Sequence, residues 1–403
     1  MSPGYAAIAA RNVRLGYAFR FLMDFGFWVG IWIKYLTSVR ELELQYIFLM
    51  DMPFWLVMAS LEAPFGALAD RIGHSRVLAF GAAVYALTIL GFGFTTNYWM
   101  LFADYMLWAI AGACRSGADQ ALIYDSLKQA GLESTFSRVA GRGFAITVAA
   151  GTSGVILGGI LATVTSLAFT VQVSCLGPAL ACFIALAMVE PRVEHPPRRY
   201  IDHLVDGVTF AWREPRVRYT VLLSALIMMA TFAPIVLVQP FLIEHDVATG
   251  LFGVYQAPLR IATVIAAVLA HRVALRAGDR AVLATACWGL VLGFLALALF
   301  DTRPAFVFFA LPAVIQGIVR PTLDAYLNGH IPSDRRATVL STSSLVLSVG
   351  LAFFEPTIGF IIDGVSLPAA CAFVAIFFAI TMPGSYLLWR RHDAPMPAVQ
   401  PLA

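Results

Sequence analysis

Apolar residues fill most of the chain in long runs, and short polar stretches separate these runs at fairly regular intervals. A helix needs about 20 predominantly apolar residues to cross the hydrocarbon core of a bilayer. The pattern therefore predicts twelve transmembrane helices, six in each half of the chain. Their expected limits are 15–37, 45–69, 77–95, 98–122, 142–165, 167–189, 219–243, 250–272, 281–300, 305–328, 338–361 and 368–390.

The composition supports the same class of protein. Hydrophobic residues make up 60% of the 403 residues and charged residues only 13%, which excludes a soluble enzyme of this size. The sequence predicts an all-α polytopic membrane protein with two pseudo-symmetric bundles of six helices. We expect an N-terminal bundle over 1–190, a cytoplasmic linker with an amphipathic helix over 191–218, and a C-terminal bundle with a short cytoplasmic tail over 219–403.

The distribution of arginine and lysine predicts the orientation in the membrane. With both termini in the cytoplasm, the outer loops hold only Arg40 and Arg303, whereas the inner segments hold the large excess of cations. Cytoplasmic loops carry this excess in membrane proteins. We therefore expect a multi-pass protein of the inner (plasma) membrane with both termini in the cytoplasm.

Three predicted helices carry an arginine and an aspartate four residues apart, a spacing that places both on one helix face. A charge in hydrocarbon costs ~2.5–3.5 kcal/mol on insertion scales, so these residues need partners or a watery cavity. Two of the pairs recur about half a chain apart, which indicates an internal duplication. The pairs are Arg20 with Asp24, Arg115 with Asp119, and Arg320 with Asp324.

A glycine-rich motif follows the second predicted helix, in the stretch Gly66-Ala-Leu-Ala-Asp-Arg-Ile-Gly73. It resembles the loop between helices 2 and 3 of the major facilitator superfamily, in particular of members that exchange drugs for protons. Gly66, Asp70, Arg71 and Gly73 match, whereas His74 and the serine after it replace the usual basic pair. The resemblance implies that the motif controls the conformational change and that Asp70 acts as a switch.

A second resemblance lies in the fifth predicted helix, where Gly154, Gly158 and Gly159 match the antiporter motif of the same family. Valine stands where that motif has proline. Glycines at this spacing suit close helix packing, here between the two halves. The resemblance implies an exporter.

In this family helices 1, 4, 7 and 10 line the central cavity, so the resemblance assigns roles to the charged residues. The alternative is that each pair is a structural ion pair that holds helices together. The candidates for proton coupling are Asp24, Asp119 and Asp324; those for the substrate cavity are Arg20, Arg115, Arg320 and Gln239; those for the interface between halves are Arg260 and Glu355.

The sequence predicts no cofactor and no metal site, because its five cysteines lie in apolar runs without a metal-ligand spacing. We expect a monomer in the lipid bilayer that binds a small-molecule substrate, does not bind nucleic acid, and uses the proton gradient.

Proton-coupled efflux of small amphiphilic, drug-like molecules by alternating access is the function favoured. One alternative is a proton-coupled importer or exchanger of an organic anion bound by Arg115 and Arg320. Another is a membrane sensor or scaffold that does not transport.

Overall fold

The computed structural model describes residues 3–191, 209–330 and 336–393, and all regular structure in these ranges is helical. The chain is therefore all-α, as the sequence predicts. In the first half the α-helices are α1 (Pro3–Asp24), α2 (Trp32–Ser38), α3 (Leu44–Leu49), α4 (Asp51–Ile72), α5 (His74–Phe94), α6 (Tyr98–Arg115), α7 (Ala118–Gln129), α8 (Phe136–Val164), α9 (Leu167–Val173) and α10 (Leu176–Leu186).

The second half begins with a helical stretch over 209–213. This stretch lies in the linker 191–218, for which the sequence predicts an amphipathic helix, and residues 192–208 of that linker lie outside the described ranges. The helices that follow are α11 (Pro215–Glu244), α12 (Phe252–Ala277), α13 (Asp279–Leu299), α14 (Ala310–His330), α15 (Arg336–Gly364) and α16 (Leu367–His392). Short 3-10 helices cover Phe27–Gly30, Glu133–Thr135, Thr249–Leu251 and Arg303–Phe309.

Ten helical segments of the described ranges are long and apolar enough to cross a membrane. The other two predicted spans, 15–37 and 98–122, are interrupted rather than continuous. The first divides between α1 and α2, and the fourth between α6 and α7. Both interruptions occur directly after a charged residue, Asp24 in the first span and Arg115 in the fourth.

The interruption of the first span leaves backbone groups without helical partners, and side chains replace those partners. Gln239 accepts hydrogen bonds from the backbone N–H of Ile33 at 3.0 Å and of the next residue at 3.4 Å, and its amide donates to the carbonyl of Val29 at 3.2 Å. The amide of Gln256 donates to the carbonyl of Gly30 at 2.9 Å. In lipid each unsatisfied backbone group costs several kcal/mol, so these two glutamines stabilise the break.

The interruption of the fourth span has a local cause. Gly117 has φ +76°, in the left-handed region that favours glycine. The backbone N–H of the preceding residue, Ser116, donates a hydrogen bond to the Gly112 carbonyl and so caps the end of α6. The Ser116 hydroxyl donates a hydrogen bond to the Glu62 carboxylate at 2.9 Å. The chain then re-enters a helix at Ala118 with Asp119 in its first turn, where a negative charge is favourable.

The chain divides into two compact units. The first comprises Met1–Arg198 with Gln239–Ile261, and the second comprises Arg199–Val238 with Ala262–Ala403. The last turns of α11 and the first half of α12 therefore pack with the first unit. The domain limits expected from the sequence, 1–190 and 219–403, stay a prediction.

Candidate functional site

The centre of the candidate site is an ion pair between Asp24 and Arg115, which lie at the ends of α1 and α6. The two terminal nitrogens of Arg115 donate to the two carboxylate oxygens of Asp24 at 2.8 and 2.7 Å. A fork-to-fork arrangement of this kind is the strongest form of a charge-assisted hydrogen bond. Thr147 of α8 donates its hydroxyl to the same carboxylate at 2.8 Å. Three donors thus fix Asp24.

A second ion pair lies in the same unit, between Arg20 of α1 and Asp119 of α7, at 3.1 Å. Their side chains are only 12% and 15% exposed. The sequence grouped Arg20 with Asp24 and Arg115 with Asp119 by their four-residue spacing along single helices. Each arginine instead pairs with the aspartate of the other helix, because the breaks after Asp24 and Arg115 let the two helix ends meet.

One face of α8 supports these charges. Gly143, Thr147 and Gly151 are spaced four residues apart, so they share that face. The point where a Cβ on Gly143 would lie is 2.7 Å from a terminal nitrogen of Arg20, and the corresponding point on Gly151 is 3.1 Å from a terminal nitrogen of Arg260. The two glycines therefore make room for two guanidinium groups, one on each side of the threonine that binds Asp24.

We refer to Arg20, Asp24, Arg115, Asp119 and Arg260 as the charge cluster. Aromatic side chains adjoin it. Trp28 and Tyr85 both pack on the Trp108 ring, with centroid distances of 5.1 and 6.4 Å, and Tyr85 lies within electrostatic range of both Asp24 and Arg115. The cluster therefore combines fixed charges with an aromatic wall.

Gln239, predicted to line a substrate cavity, is only 2% exposed. Its amide is engaged by the backbone of the first span, as described above. The sequence could not show these contacts, because they depend on the break in that span, and the assignment of Gln239 to the substrate cavity stays a prediction.

The glycines of the antiporter-like motif lie along α8 beyond Gly151. The Cβ position of Gly154 is 2.9 Å from the carbonyl oxygen of Gly26, and that of Gly158 lies against the carbonyl of Phe27. The Cβ position of Gly159 is 2.8 Å from the carbonyl of Thr249. The motif thus contacts both the break of the first span and a segment from the second half of the sequence, as the predicted close packing requires.

The second unit holds the third predicted pair, Arg320 and Asp324, on α14. Both residues are exposed, and among the described residues neither forms a salt bridge. Within the described ranges no salt bridge therefore joins these two side chains, and the assignment of Asp324 to proton coupling and of Arg320 to the substrate cavity stays a prediction. Glu355 of α15 is 3% exposed.

The motif after the second span forms a separate polar site. Gly73 has φ +106°, so it makes the predicted tight turn. At Gly66 the predicted close approach of another backbone is not found among the described residues, because a Cβ there would meet nothing within 4 Å. Glu190 accepts hydrogen bonds from the backbone of His74 at 2.8 Å and of Ser75 at 2.9 Å. Asp70 is 3.6 Å from the His74 ring on its other side.

Residues 70–76, which include the exposed Arg71, line a cavity of about 490 Å³ together with Asp125 and Glu190. Within the described ranges no group of three or more histidine, cysteine, aspartate or glutamate side chains is placed to hold a metal ion.

The model of the Major Facilitator Superfamily matches residues 14–303, well over half of the chain. The chain belongs to the Major Facilitator Superfamily. The predicted family and the all-α polytopic membrane fold are thereby confirmed, and the protein is a multi-pass membrane transporter. Over 67 residues this transporter is 36% identical to an uncharacterised MFS-type transporter of Methanocaldococcus jannaschii; the match spans 17% of each chain.

Solved transporter structures resemble this family member over nearly their whole length. A variant of the nucleoside transporter NupG has a TM-score of 0.76 and 12% identity, with 96% of this chain and 100% of that one covered. A bacterial homologue of the human lysosomal transporter Spinster has a TM-score of 0.71 and 14% identity, with coverages of 98% and 100%. A POT family transporter with a bound thioalcohol-conjugated peptide has a TM-score of 0.72 and 11% identity, with coverages of 96% and 96%. At these identities the likeness establishes the fold alone.

Sequence reasoning about this transporter missed Thr147, Gly143 and the position of Arg260 beside Asp24. The four-residue spacing of Gly143, Thr147 and Gly151 was readable as a small-residue face of α8. Which charges this face contacts was not readable, because that depends on the path of the broken first span.

Proposed function

We propose that this transporter works by alternating access and couples the movement of protons to the export of small amphiphilic molecules. The observation that carries the proposal is the arrangement at Asp24, where one carboxylate accepts two bonds from Arg115 and one from Thr147. A carboxylate inside a membrane protein at such a junction is a natural proton carrier.

The proton step follows from the charges. When Asp24 binds a proton, its carboxylate becomes neutral and the Arg115 guanidinium loses its counter-ion. Asp119, which already attracts Arg115 electrostatically, is then the remaining carboxylate of the cluster. Because Asp24 and Arg115 lie at the ends of two different helices, a change of partner moves those helix ends relative to one another. Protonation at Asp24 and the conformational change would thus be coupled.

The amphiphilic character of the substrate is supported by the aromatic wall of Trp28, Tyr85 and Trp108 beside the charge cluster. Aromatic rings next to fixed charges suit molecules that have an apolar body and a polar end.

Asp119 is the second candidate for proton coupling in the same unit, and Asp324 remains a candidate in the second unit.

Everted membrane vesicles test the proposal. After respiration has acidified their interior, amphiphiles of different charge are added, with ethidium as the cation, naphthoate as the anion and naphthamide as the neutral compound. We expect at least one of them to release protons from vesicles that contain the transporter, and we expect Asp24→Asn to abolish the release. Glu133→Gln is the control, because Glu133 is an exposed carboxylate outside the cluster.

Three results contradict the proposal. Proton release that persists in Asp24→Asn vesicles excludes Asp24 as the carrier. Absence of any release above that of vesicles without the protein, together with normal cellular function of Asp24→Asn, favours a sensor or scaffold instead. Uptake driven by an inward proton gradient, without efflux, favours an importer.

A further inference from the structure

Arg260 differs from the other two arginines of the charge cluster because it has no partner. Arg20 and Arg115 each bind an aspartate, whereas among the described residues Arg260 forms neither a hydrogen bond nor a salt bridge. It lies on α12 within the part of that helix that packs with the first unit. Its side chain is neither fully buried nor fully exposed, so protein atoms do not enclose it completely.

The surroundings of Arg260 hold it close to the centre of the cluster. One terminal nitrogen lies 3.1 Å from the point where a Cβ on Gly151 would be, and the backbone carbonyl of Asp24 lies 3.7 Å from the same point. Asp24 is the acidic side chain whose charge acts on Arg260. The Asp24 carboxylate, however, already accepts three hydrogen bonds from Arg115 and Thr147.

The charges of the cluster therefore do not balance. Three guanidinium groups face two carboxylates, and both carboxylates are engaged by the other two arginines. Glu62 lies close to the break after α6, where its carboxylate accepts a hydrogen bond from the Ser116 hydroxyl. Among the described residues Glu62 forms no salt bridge with these arginines. An uncompensated cation within a membrane protein is costly, and a bound anion would remove that cost.

We propose that Arg260 binds the anionic group of the substrate, a carboxylate on an amphiphilic molecule. This rests on the proposed function and adds the charge of the substrate to it. A guanidinium is suited to the task because its planar fork donates two parallel hydrogen bonds to one carboxylate. Arg115, for which the sequence suggested an anion-binding role, is occupied by Asp24, whereas among the described residues Arg260 holds no carboxylate.

Binding of naphthoate to the purified transporter tests this assignment without any proton gradient. We expect naphthoate to raise the melting temperature in a saturable way, because a ligand that binds only the folded state stabilises it by mass action. Naphthamide, which has the same shape without the charge, should have little effect. Arg260→Gln should weaken the apparent affinity for naphthoate by about tenfold or more, which corresponds to ~1.4 kcal/mol or more.

Two further variants separate binding from folding. Gly151→Ala keeps the charge of Arg260 but crowds its guanidinium, so naphthoate should bind more weakly although the protein remains folded. Arg276→Gln, which removes an exposed cation from the same helix, should bind naphthoate like the wild type. Without naphthoate, in low salt, Arg260→Gln should melt at the same temperature as the wild type or higher, because it removes an unpaired cation.

Several outcomes overturn the assignment. A clear fall in the melting temperature of ligand-free Arg260→Gln would mean that the guanidinium has a structural partner. Equal stabilisation of wild type and Arg260→Gln by naphthoate would place the anion elsewhere, and no stabilisation of the wild type would exclude this class of ligand. Stabilisation by chloride alone would assign the site to an inorganic ion. Because Asp24→Asn is tested by proton release, failure of the proton-coupling proposal is distinguishable from failure here.

Discussion

Asp24 and Arg115 form a bidentate ion pair at the point where their two helices end. Helix α1 ends at Asp24 and α6 ends at Arg115. The C-terminal end of a helix carries a partial negative charge. Arg115 is therefore favoured by both helix ends as well as by the carboxylate, whereas Asp24 is disfavoured by its own helix end and depends on the arginine.

This asymmetry predicts that removing Arg115 destabilises the protein more than removing the charge of Asp24. Arg115→Gln leaves the Asp24 carboxylate beside two negative helix ends with one hydrogen bond, from Thr147, and the charge of Arg260 acting on it. Asp24→Asn leaves a cation that those ends still attract. The pair is partly exposed, so we expect a cost of roughly 1–3 kcal/mol for Arg115→Gln, below the ~3–5 kcal/mol of fully buried pairs. Melting temperatures of the purified variants check the order. The double variant should be more stable than Arg115→Gln alone, and the reverse order of the two single variants would refute the argument.

The exchange of partners between helices predicts a pattern of couplings among the four charged residues. In double-mutant cycles Arg20 should couple more strongly to Asp119, its partner at 3.1 Å, than to Asp24 on its own helix. Residues in contact show couplings of about 0.5–3 kcal/mol, whereas independent sites add within about 0.5 kcal/mol. Unfolding free energies of Arg20→Gln combined in turn with Asp119→Asn and Asp24→Asn supply the measurement. Stronger coupling of Arg20 to Asp24 than to Asp119 would contradict the ion pair between the two helices.

The family, the all-helical fold and the residues of the charge cluster were readable from the sequence, because hydropathy and charge position depend on residue type alone. The pairing of the charges was not readable, because a four-residue spacing fits the geometry of an intact helix and gives no sign that the helix breaks. The sequence does contain one indication of the two breaks. Asp24 and Arg115 are each followed two residues later by a glycine, Gly26 and Gly117, and both breaks include that glycine.

The roles of Gln239 and Arg260 depended on contacts between distant segments, so no local pattern revealed them. Gln239 was a candidate for the substrate cavity because the family resemblance implies that helix 7 lines that cavity. Its actual partners are backbone groups freed by the break after Asp24, more than 200 residues away. A polar residue in one span thus compensates for a broken helix in another.

Two glycines of α8 predict opposite effects of substitution by alanine. Gly158→Ala drives a methyl group into the carbonyl of Phe27, so it should destabilise the protein by about 1–3 kcal/mol, the usual cost of overpacking. Gly141 lies on the same helix, and a Cβ there would meet nothing within 4 Å. Gly141→Ala should therefore stabilise the protein by about 0.5–1 kcal/mol. Thermal unfolding of the two variants decides, and equal effects of both would contradict the close contact at Phe27.

Glu190 predicts a dependence of stability on pH. Burial acts to raise the pKa of its carboxyl, but the hydrogen bonds from His74 and Ser75 outweigh burial and lower the pKa from 4.5 to about 2. A carboxyl with a depressed pKa contributes stability that is fully present above the unfolded pKa of 4.5 and is lost as the pH falls toward the folded pKa. The difference in melting temperature between wild type and Glu190→Gln should therefore shrink from pH 6 to pH 3.5.

Glu133→Gln is the control for the Glu190 experiment, because Glu133 is exposed and its neutralisation should change the melting temperature little at either pH. A difference between wild type and Glu190→Gln that stays constant over this range would show that the Glu190 carboxylate owes its effect to packing rather than to charge.

Asp104 of α6 predicts a variant that is more stable than the wild type. Its carboxylate lies against Gly91 of α5, where a Cβ would come within 2.9 Å of one oxygen. Among the described residues none donates a hydrogen bond to it or forms a salt bridge with it. An ionised carboxylate without a partner in a membrane span costs free energy that an amide does not. Asp104→Asn should therefore raise the melting temperature at pH 7, whereas Asp119→Asn, which breaks the bond to Arg20, should lower it. A fall in the melting temperature of both variants would mean that the negative charge of Asp104 stabilises the fold.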